Sequence, residues 1–439
     1  MRDYAPNGHC SARKPNRDAY CIHTTPVFIN VTILPCPPGF YQSHQQCDCY
    51  LHHILFDNCT IIDGKGYFSW STNVWVSVQK ESGILYDERC PIDYCKSMKD
   101  KIELAMQVDS DSQCAFNRAG RLCGGCKDNY SLAIGSSHCI HCPNNINLAL
   151  LIFFAAAGFL LVFFISAFNL TVTQGMINGF IFYANIVWGY RSIEVDENGG
   201  YMIINIFLAW LNLDFGIESC FFSGLNAFWK AWLQFVFPFY TAGLFIIGLR
   251  YSSKLAKLFG DRSVPTLATL LFLSYAKLLR TIITSLELAP LTSYPDNSTK
   301  YVWFIDGTKD YGKFPHVTLL VAALTCLLFL WLPFTILLLL MQWLRRQSNQ
   351  TISNWITRYK PVIDAYFAPL KDKHHYWFGV LLIVRGILLL ISSLTSNINP
   401  AISLFLLLFI SLLLLWYINY KKVYKKKLVL ILESCSYST

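Results

Sequence analysis

Apolar and polar positions split this chain into two regions. Before residue 148 long apolar runs are absent; from Leu148 onward they dominate. Residues 148–168 ("LALLIFFAAAGFLLVFFISAF") carry no charge, and about 20 apolar helical residues cross a hydrocarbon core of ~30 Å. Further spans are predicted at 172–190 (interrupted by Gln174, Asn178 and Asn185), 230–249, 264–284, 316–343, 376–395 and 401–420, seven in all. Residues 201–215 ("YMIINIFLAWLNLDF") are apolar but short and contain Asp214, so they are read as a re-entrant or interfacial helix. Eight spans is the alternative. Trp343, Tyr376, Trp377, Trp416, Tyr417 and Tyr420 stand at span ends, as in an aromatic belt.

The predicted fold class is an all-α membrane bundle of about seven transmembrane helices carrying a small disulfide-rich, mostly irregular or β extracellular domain. Residues 1–145 form the cysteine-rich domain, 146–420 the multipass domain, and 421–439 a basic tail. Composition agrees: 54% of the 439 residues are hydrophobic and 14% charged, against about 25% charged in an average globular protein. The net charge of +9 does not point to nucleic acid, because its lysines and arginines cluster between the apolar runs.

Those clusters set the sidedness. The tail "KKVYKKK", the loop holding Arg345, Arg346, Arg358, Lys360, Lys371 and Lys373, and the loop holding Arg250, Lys254, Lys257 and Arg262 are all placed in the cytoplasm. The loop 286–315 mixes Glu287, Asp296, Asp306 and Asp310 with three lysines, holds the sequon at Asn297, and is placed outside. Seven spans with a cytoplasmic C-terminus put the N-terminus outside, in the plasma membrane rather than an endomembrane. No apolar leader precedes residue 148. Either the first span drives export itself or, the favoured reading, the chain is a fragment of a longer precursor.

Thirteen of the 16 cysteines precede residue 143. "CGGCKDNYSLAIGSSHCIHC" pairs Cys123 with Cys126 and Cys139 with Cys142 in a spacing close to a zinc ribbon. The compartment decides against zinc, because outside the cell thiols oxidise. Cys36, Cys47, Cys49, Cys59, Cys90, Cys95, Cys114, Cys123, Cys126, Cys139, Cys142 and Cys220 are disulfide candidates. Cys220 makes the outer total even, whereas Cys326 within a span and Cys435 in the tail stay reduced. "CPPGFYQSHQQCDC" from Cys36 is EGF-like in its spacing. Asn30, Asn58, Asn129 and Asn297 are glycosylation candidates.

Charges inside spans are costly and usually functional. Lys277 and Arg280 lie in the outer half of the fourth span, and Arg385 at the middle of the sixth. Asp214 and Glu218, one turn apart, are the expected partners of Lys277 or Arg280, with Cys220 tying their segment to the ectodomain. A channel or transporter requires Lys277 and Arg385 to face the bundle interior; a plain anchor lets them reach an interface. No metalloprotease, nucleophile-elbow or phosphate-loop motif is present, so no enzyme activity and no cofactor are expected. The D/E-R-Y ending of a G-protein-coupled receptor is missing, and "NPAIS" begins its span rather than closing it.

Five stretches carry a resemblance: "LCGGCKDNYSLAIGSSHCIHC", "AWLNLDFGIESCFF", "WLQFVFPFY", "PTLATLLFLSYAKLLRTIIT" and "DAYFAPLKDKHHYWFG". In this order they are similar to multipass membrane proteins of sponges and other invertebrates with large cysteine-rich ectodomains. That membrane domain in turn resembles those of fungal TRP-like and flavin-carrier proteins. The resemblance implies a channel-like or sensor protein. The rival expectation is an adhesion or ligand-binding receptor whose ectodomain acts and whose helices anchor it. The expected partners are the lipid bilayer and an extracellular ligand or a second copy of the chain, with no nucleic acid.

The sidedness has a direct test. A tag after Thr439 is expected to be reachable only in permeabilised cells, and one near Asn297 on intact cells. Glycosylation at Asn349, whose sequon lies in a basic loop, overturns the scheme.

Overall fold

The computed structural model describes residues 36–142 (except 38–39, 44–45, 50–57, 64, 71–73, 79–84, 92, 97 and 104–109), 148–175, 219–294, 298–345, 350–396, 400–427, 429–431 and 434. The first part is strand-rich. A hairpin joins β1 (Phe40–Ser43) to β2 (Gln46–Cys49), followed by β3 (Asn58–Ile62), β4 (Lys65–Trp70), β5 (Val74–Val78), β6 (Leu85–Arg89) and β7 (Met98–Glu103). Two short antiparallel pairs complete it: β8 (Arg118–Ala119) with β9 (Gly125–Cys126), and β10 (Tyr130–Leu132) with β11 (Cys139–His141).

Helices follow: α1 (Leu148–Ala167), α2 (Ala227–Tyr251), α3 (Ser253–Phe259) and α4 (Ser263–Leu286). Three strands then intervene, β12 (Leu288–Tyr294), β13 (Thr299–Trp303) and β14 (Asp306–Asp310). Helix α5 (His316–Cys326) passes through a π-turn at Leu327–Trp331 into α6 (Leu332–Leu344). The π-turn sits immediately before Pro333, whose missing N–H cannot continue the regular ladder. The last helices are α7 (Gln350–Phe367), α8 (Trp377–Ser396) and α9 (Pro400–Lys421).

Six of these runs are long and apolar enough to cross a membrane: α1, α2, α3–α4, α5–α6, α8 and α9. The fold fits a multipass membrane protein with a disulfide-rich, strand-rich N-terminal region. The run expected at 172–190 does not begin as a span. Val172–Gln174 form a 3-10 turn closed by Gly175 in the left-handed conformation (φ 75°), and the rest lies outside the described residues. The re-entrant segment 201–215 also lies outside them.

The faces of the helices support the membrane reading. On α1, Ile152, Phe159, Phe163 and Phe164 are exposed; on α9, Phe405, Leu408, Leu412 and Trp416 are exposed. Continuous apolar faces of this size need an apolar solvent. Inside, helices approach through small residues, as hydrocarbon-embedded helices do. A Cβ on Gly379 of α8 would stand 2.8 Å from the Leu339 backbone nitrogen of α6, and one on Gly158 of α1 would stand 3.0 Å from the Thr241 methyl of α2. Trp377 departs from the expected belt: it is buried and stacks on Tyr417 at 4.9 Å.

Two ends can be told apart. At one, Arg262 donates to the Ser166 carbonyl (3.2 Å), Tyr366 Oη to the Ala268 carbonyl (2.7 Å), and Lys425 N to the Pro369 carbonyl (3.0 Å). This end gathers the basic loops and the tail. At the other, Leu132 N donates to the Leu225 carbonyl (2.8 Å), and β12 pairs with β6 in the register Thr292↔Asp87, Ser293↔Tyr86, Tyr294↔Leu85. A five-stranded antiparallel sheet results, ordered β14-β13-β12-β6-β5, so the strand-rich body reaches beyond residue 145 and takes in the loop between α4 and α5.

Gly379→Ala is expected to push α6 and α8 apart and cost roughly 1–3 kcal/mol by overpacking. Gly243→Ala on α2, whose Cβ would meet nothing within 4 Å, is expected to be neutral or stabilising by up to about 1 kcal/mol. Thermal unfolding of the two variants in detergent compares them directly.

Candidate functional site

Helix α4 is the axis of the bundle. Leu270, Phe272, Leu273, Leu278, Leu279 and Ile282 are buried on it, as are Thr266, Thr269, Ser274, Thr281 and Ser285. Hydroxyls in an apolar interior need acceptors, and four of these find them one turn back on their own helix. Thr269 donates to the Pro265 carbonyl (2.8 Å), Ser274 to Leu270 (2.7 Å), Thr281 to Lys277 (3.0 Å) and Ser285 to Thr281 (2.7 Å). This is why a helix with so many Ser and Thr residues can sit at the centre.

Two cations share this interior. Lys277 is buried at 5% exposure and Arg385 on α8 at 2%, so both are packed within the bundle. The Arg385 guanidinium lies 4.4 Å from the centre of the Phe272 ring, a cation–π contact that offsets part of its desolvation. Close by, Tyr275 Oη and Thr335 Oγ1 share a 2.6 Å hydrogen bond and Tyr275 stacks on Trp331 at 5.1 Å. Gly386 leaves room for that indole: a Cβ there would meet it at 3.0 Å. Arg280 is half-buried near the sheet end of α4. Asp214 and Glu218, expected to pair with Lys277 or Arg280, lie outside the described residues.

The end of α4 facing the sheet is the other focus. The last carbonyls of a helix have no intrahelical donor and must find one elsewhere. Glu287 N caps the Ile283 carbonyl (3.1 Å). Trp303 Nε1 donates to the Thr284 carbonyl (2.8 Å), His316 Nε2 bonds the Ser285 carbonyl (3.1 Å), and Tyr311 Oη donates to the Leu286 carbonyl (3.1 Å). Gly312 N donates to His316 Nδ1 (3.2 Å), which leaves Nε2 as the nitrogen that carries the proton. The three rings form one cluster, with Trp303–His316 at 5.1 Å and Tyr311–His316 at 4.9 Å.

Around this collar the sheet docks on the cysteine-rich loop. Cβ atoms on Gly124 and Gly307 would each meet opposing backbone at 2.5 Å, so both positions must lack a side chain. Arg118, 1% exposed, lies 3.3 Å from the Tyr94 ring centre and donates to the carbonyls of Cys123 (2.9 Å) and Ser137 (2.6 Å). Asp310 gathers Arg121 (3.3 Å), Lys300 (3.0 Å) and Lys313 (3.3 Å), and the Lys300 hydrogen bond leads in holding its carboxyl below the usual range. Four carboxyls here are shifted upward by burial, Glu88 among them. Asp87 rises to about 7, with Glu88 repelling it further; Asp306 rises although Thr308 bonds it; Glu287 rises to about 8 against the opposing pull of Arg280.

Among the described residues ten cysteines form five disulfides. Cys36–Cys47, Cys90–Cys95, Cys114–Cys123, Cys126–Cys139 and Cys142–Cys220 are bonded, so the two C-x2-C pairs send their sulfurs to separate partners. Cys95 Sγ and Cys123 Sγ lie 3.3 Å apart because two bridges abut. Cys326 is free. Cys49 and Cys59 lie in β2 and β3, with side chains outside the described residues, and Cys435 lies outside as well. Asn129 is exposed in a turn (φ 65°) and Asn58 lies in β3, whereas Asn30 and Asn297 fall outside.

The aromatic collar and Arg118 were not among the residues the sequence singled out. Trp303 and Tyr311 sit in a loop that reads only as charged and outer, and His316 reads only as the first residue of an apolar run. No family model matches the chain, and no characterised protein or solved structure is detectably similar to it.

Asp87 supplies a pH test. Its folded value of about 7 lies above the ordinary 3.8. Folding is therefore most favoured while the carboxyl stays protonated, and stability is lost as pH rises from about 4 through 7. Asp87→Asn is expected to flatten this part of the profile and to stabilise the protein at pH 8, by roughly 2–4 kcal/mol. Thermal melting at pH 5 and pH 8 reads it out.

Proposed function

We propose that the protein is a multipass membrane sensor. The cysteine-rich ectodomain, on the outer side, receives the signal, and α4 carries it to the cytoplasmic end. The observation that carries this reading is the collar: Trp303, Tyr311 and His316 hold the last carbonyls of the central helix. Trp303 lies in β13 of the sheet that includes β5 and β6, Tyr311 follows directly after β14, and His316 begins α5. A ligand or a second copy of the chain that shifts this sheet moves the groups on which α4 ends. The likeness to the sponge-type multipass proteins belongs to the same reading.

The proposed topology has seven crossings. Gly175 lies at the basic end, near Pro369 and Val429, and Ser219 at the sheet end, where Ile134 N donates to its carbonyl. One crossing between them closes the scheme with the N-terminus outside.

Buried Lys277 and Arg385 favour a second reading, a channel. The surroundings of Arg385 weigh against it. Its guanidinium lies over the Phe272 ring at 4.4 Å, and that ring packs on Phe378 at 5.1 Å.

Hydrogen exchange on the full chain in lipid nanodiscs tests the sensor. Trp303→Phe removes one donor from a buried carbonyl, which costs about 1–3 kcal/mol. It is expected to speed exchange in α7 and in residues 263–269 at the opposite end as well as locally. Exchange changes confined to residues 284–316 rule out transmission. A membrane conductance that Arg385→Gln abolishes and Trp303→Phe leaves intact favours the channel.

A further inference from the structure

An apolar hollow of about 170 Å³ opens at the basic end of the bundle, between α1, the last turns of α2, and α3. Phe245 and Phe259 are buried at its floor and meet edge to face at 5.2 Å. Phe159, Phe163 and Leu258 stand exposed at its rim. Gly248 keeps its wall low, because a Cβ there would meet only the Leu255 methyl, at an ordinary 3.4 Å. In a soluble protein such an exposed recess would bind an apolar partner. Here the exposed faces beside it are those that face lipid.

What distinguishes this recess from an ordinary lipid-facing groove is its charge. Leu249, in its lining, is followed at once by Arg250. Lys254 and Lys257 flank the lining residues Leu255 and Leu258 on the single short helix α3, and Arg262 follows one turn on. All four cations are exposed, and within residues 250–262 only Asp261 is acidic. Among the described residues none of the four meets a carboxylate within 4 Å. Arg262 spends one N–H on the Ser166 carbonyl, which fixes its stem against the end of α1. Basic pockets beside apolar grooves on the cytoplasmic side are what anionic headgroups seek.

We propose that this end of the bundle is a binding site for one anionic glycerophospholipid. An acyl chain fills the hollow, and the headgroup phosphate lies on Lys254, Lys257 and the neighbouring arginines. The long lysine stems cover the mouth of the hollow while their ammonium groups stay in the headgroup layer. The site rests on the membrane reading of the six apolar helices.

The test uses the full chain purified in a neutral detergent and offered phosphatidylcholine alone or mixed equally with phosphatidylserine. Retained lipid is counted by native mass spectrometry. The wild-type protein is expected to keep one phosphatidylserine in roughly tenfold preference. Lys254→Glu with Lys257→Glu is expected to abolish the preference without changing the melting temperature in phosphatidylcholine. Gly248→Leu, which fills the hollow, is expected to lose the retained lipid while keeping the surface charge. Equal retention of both lipids by the wild type overturns the proposal. So does loss on charge reversal with none on Gly248→Leu, which means diffuse surface attraction without a site. Inorganic phosphate that competes as well as the lipid shows an anion site without a chain and also overturns it. Flotation with phosphatidylcholine liposomes separates the two readings: a chain that floats but shows no preference loses only the lipid site, and one that does not float loses the membrane reading.

Discussion

The C-terminal carbonyls of α4 are the constraint on which the rest of the molecule turns. A helix that ends in a dry environment must have its last acceptors met, and here a ring of aromatic donors meets them. The donors come from the segment linking α4 to α5 and from the first residue of α5. That segment is in turn held by pairing with β6 and by the backbone contact of Gly307 on Arg121 and Leu122. The position of the central helix along its axis therefore depends on a sheet that half belongs to the cysteine-rich region.

The interior of the bundle follows a different logic from a soluble core. Hydrophobicity cannot sort inside from outside when the solvent is hydrocarbon. Shape and polarity do the sorting instead: glycines where helices touch, self-bonded hydroxyls on α4, and an Arg385 held over an aromatic ring. The largest apolar side chains of α1 and α9 face outward.

The apolar runs were legible because a hydrocarbon core imposes length and exclusion of charge on any helix that crosses it. Five of the six runs match the expected spans to within about a helical turn at most ends. Helix α3 extends the run through α4, because Phe259 and the short helix before it fold back on the bundle. Disulfides were legible in the density of cysteines before residue 143, and Cys142–Cys220 joins that region to the residues just before α2. What stayed hidden was non-local. Nothing in "TKYVWFIDGTKDYGKFPH" announces that its Trp, Tyr and His end a helix many residues upstream, since capping by side chains across a hairpin has no fixed spacing. The left-handed turn at Gly175, where the polar-interrupted run 172–190 was expected to span, is visible only once Thr269 Oγ1 is seen to accept from Val172 N at 3.0 Å.

The shared sheet also orders events in time. Strand β6 ends at Arg89, but the strand that covers its free edge begins at Leu288. During synthesis that edge, with its unpaired backbone groups, waits through the making of α1, α2 and the whole of α4. An edge left open so long is a template for the wrong partner, and pairing so distant in sequence is slow to form. A chain cut before β12 leaves that edge of β6 uncovered.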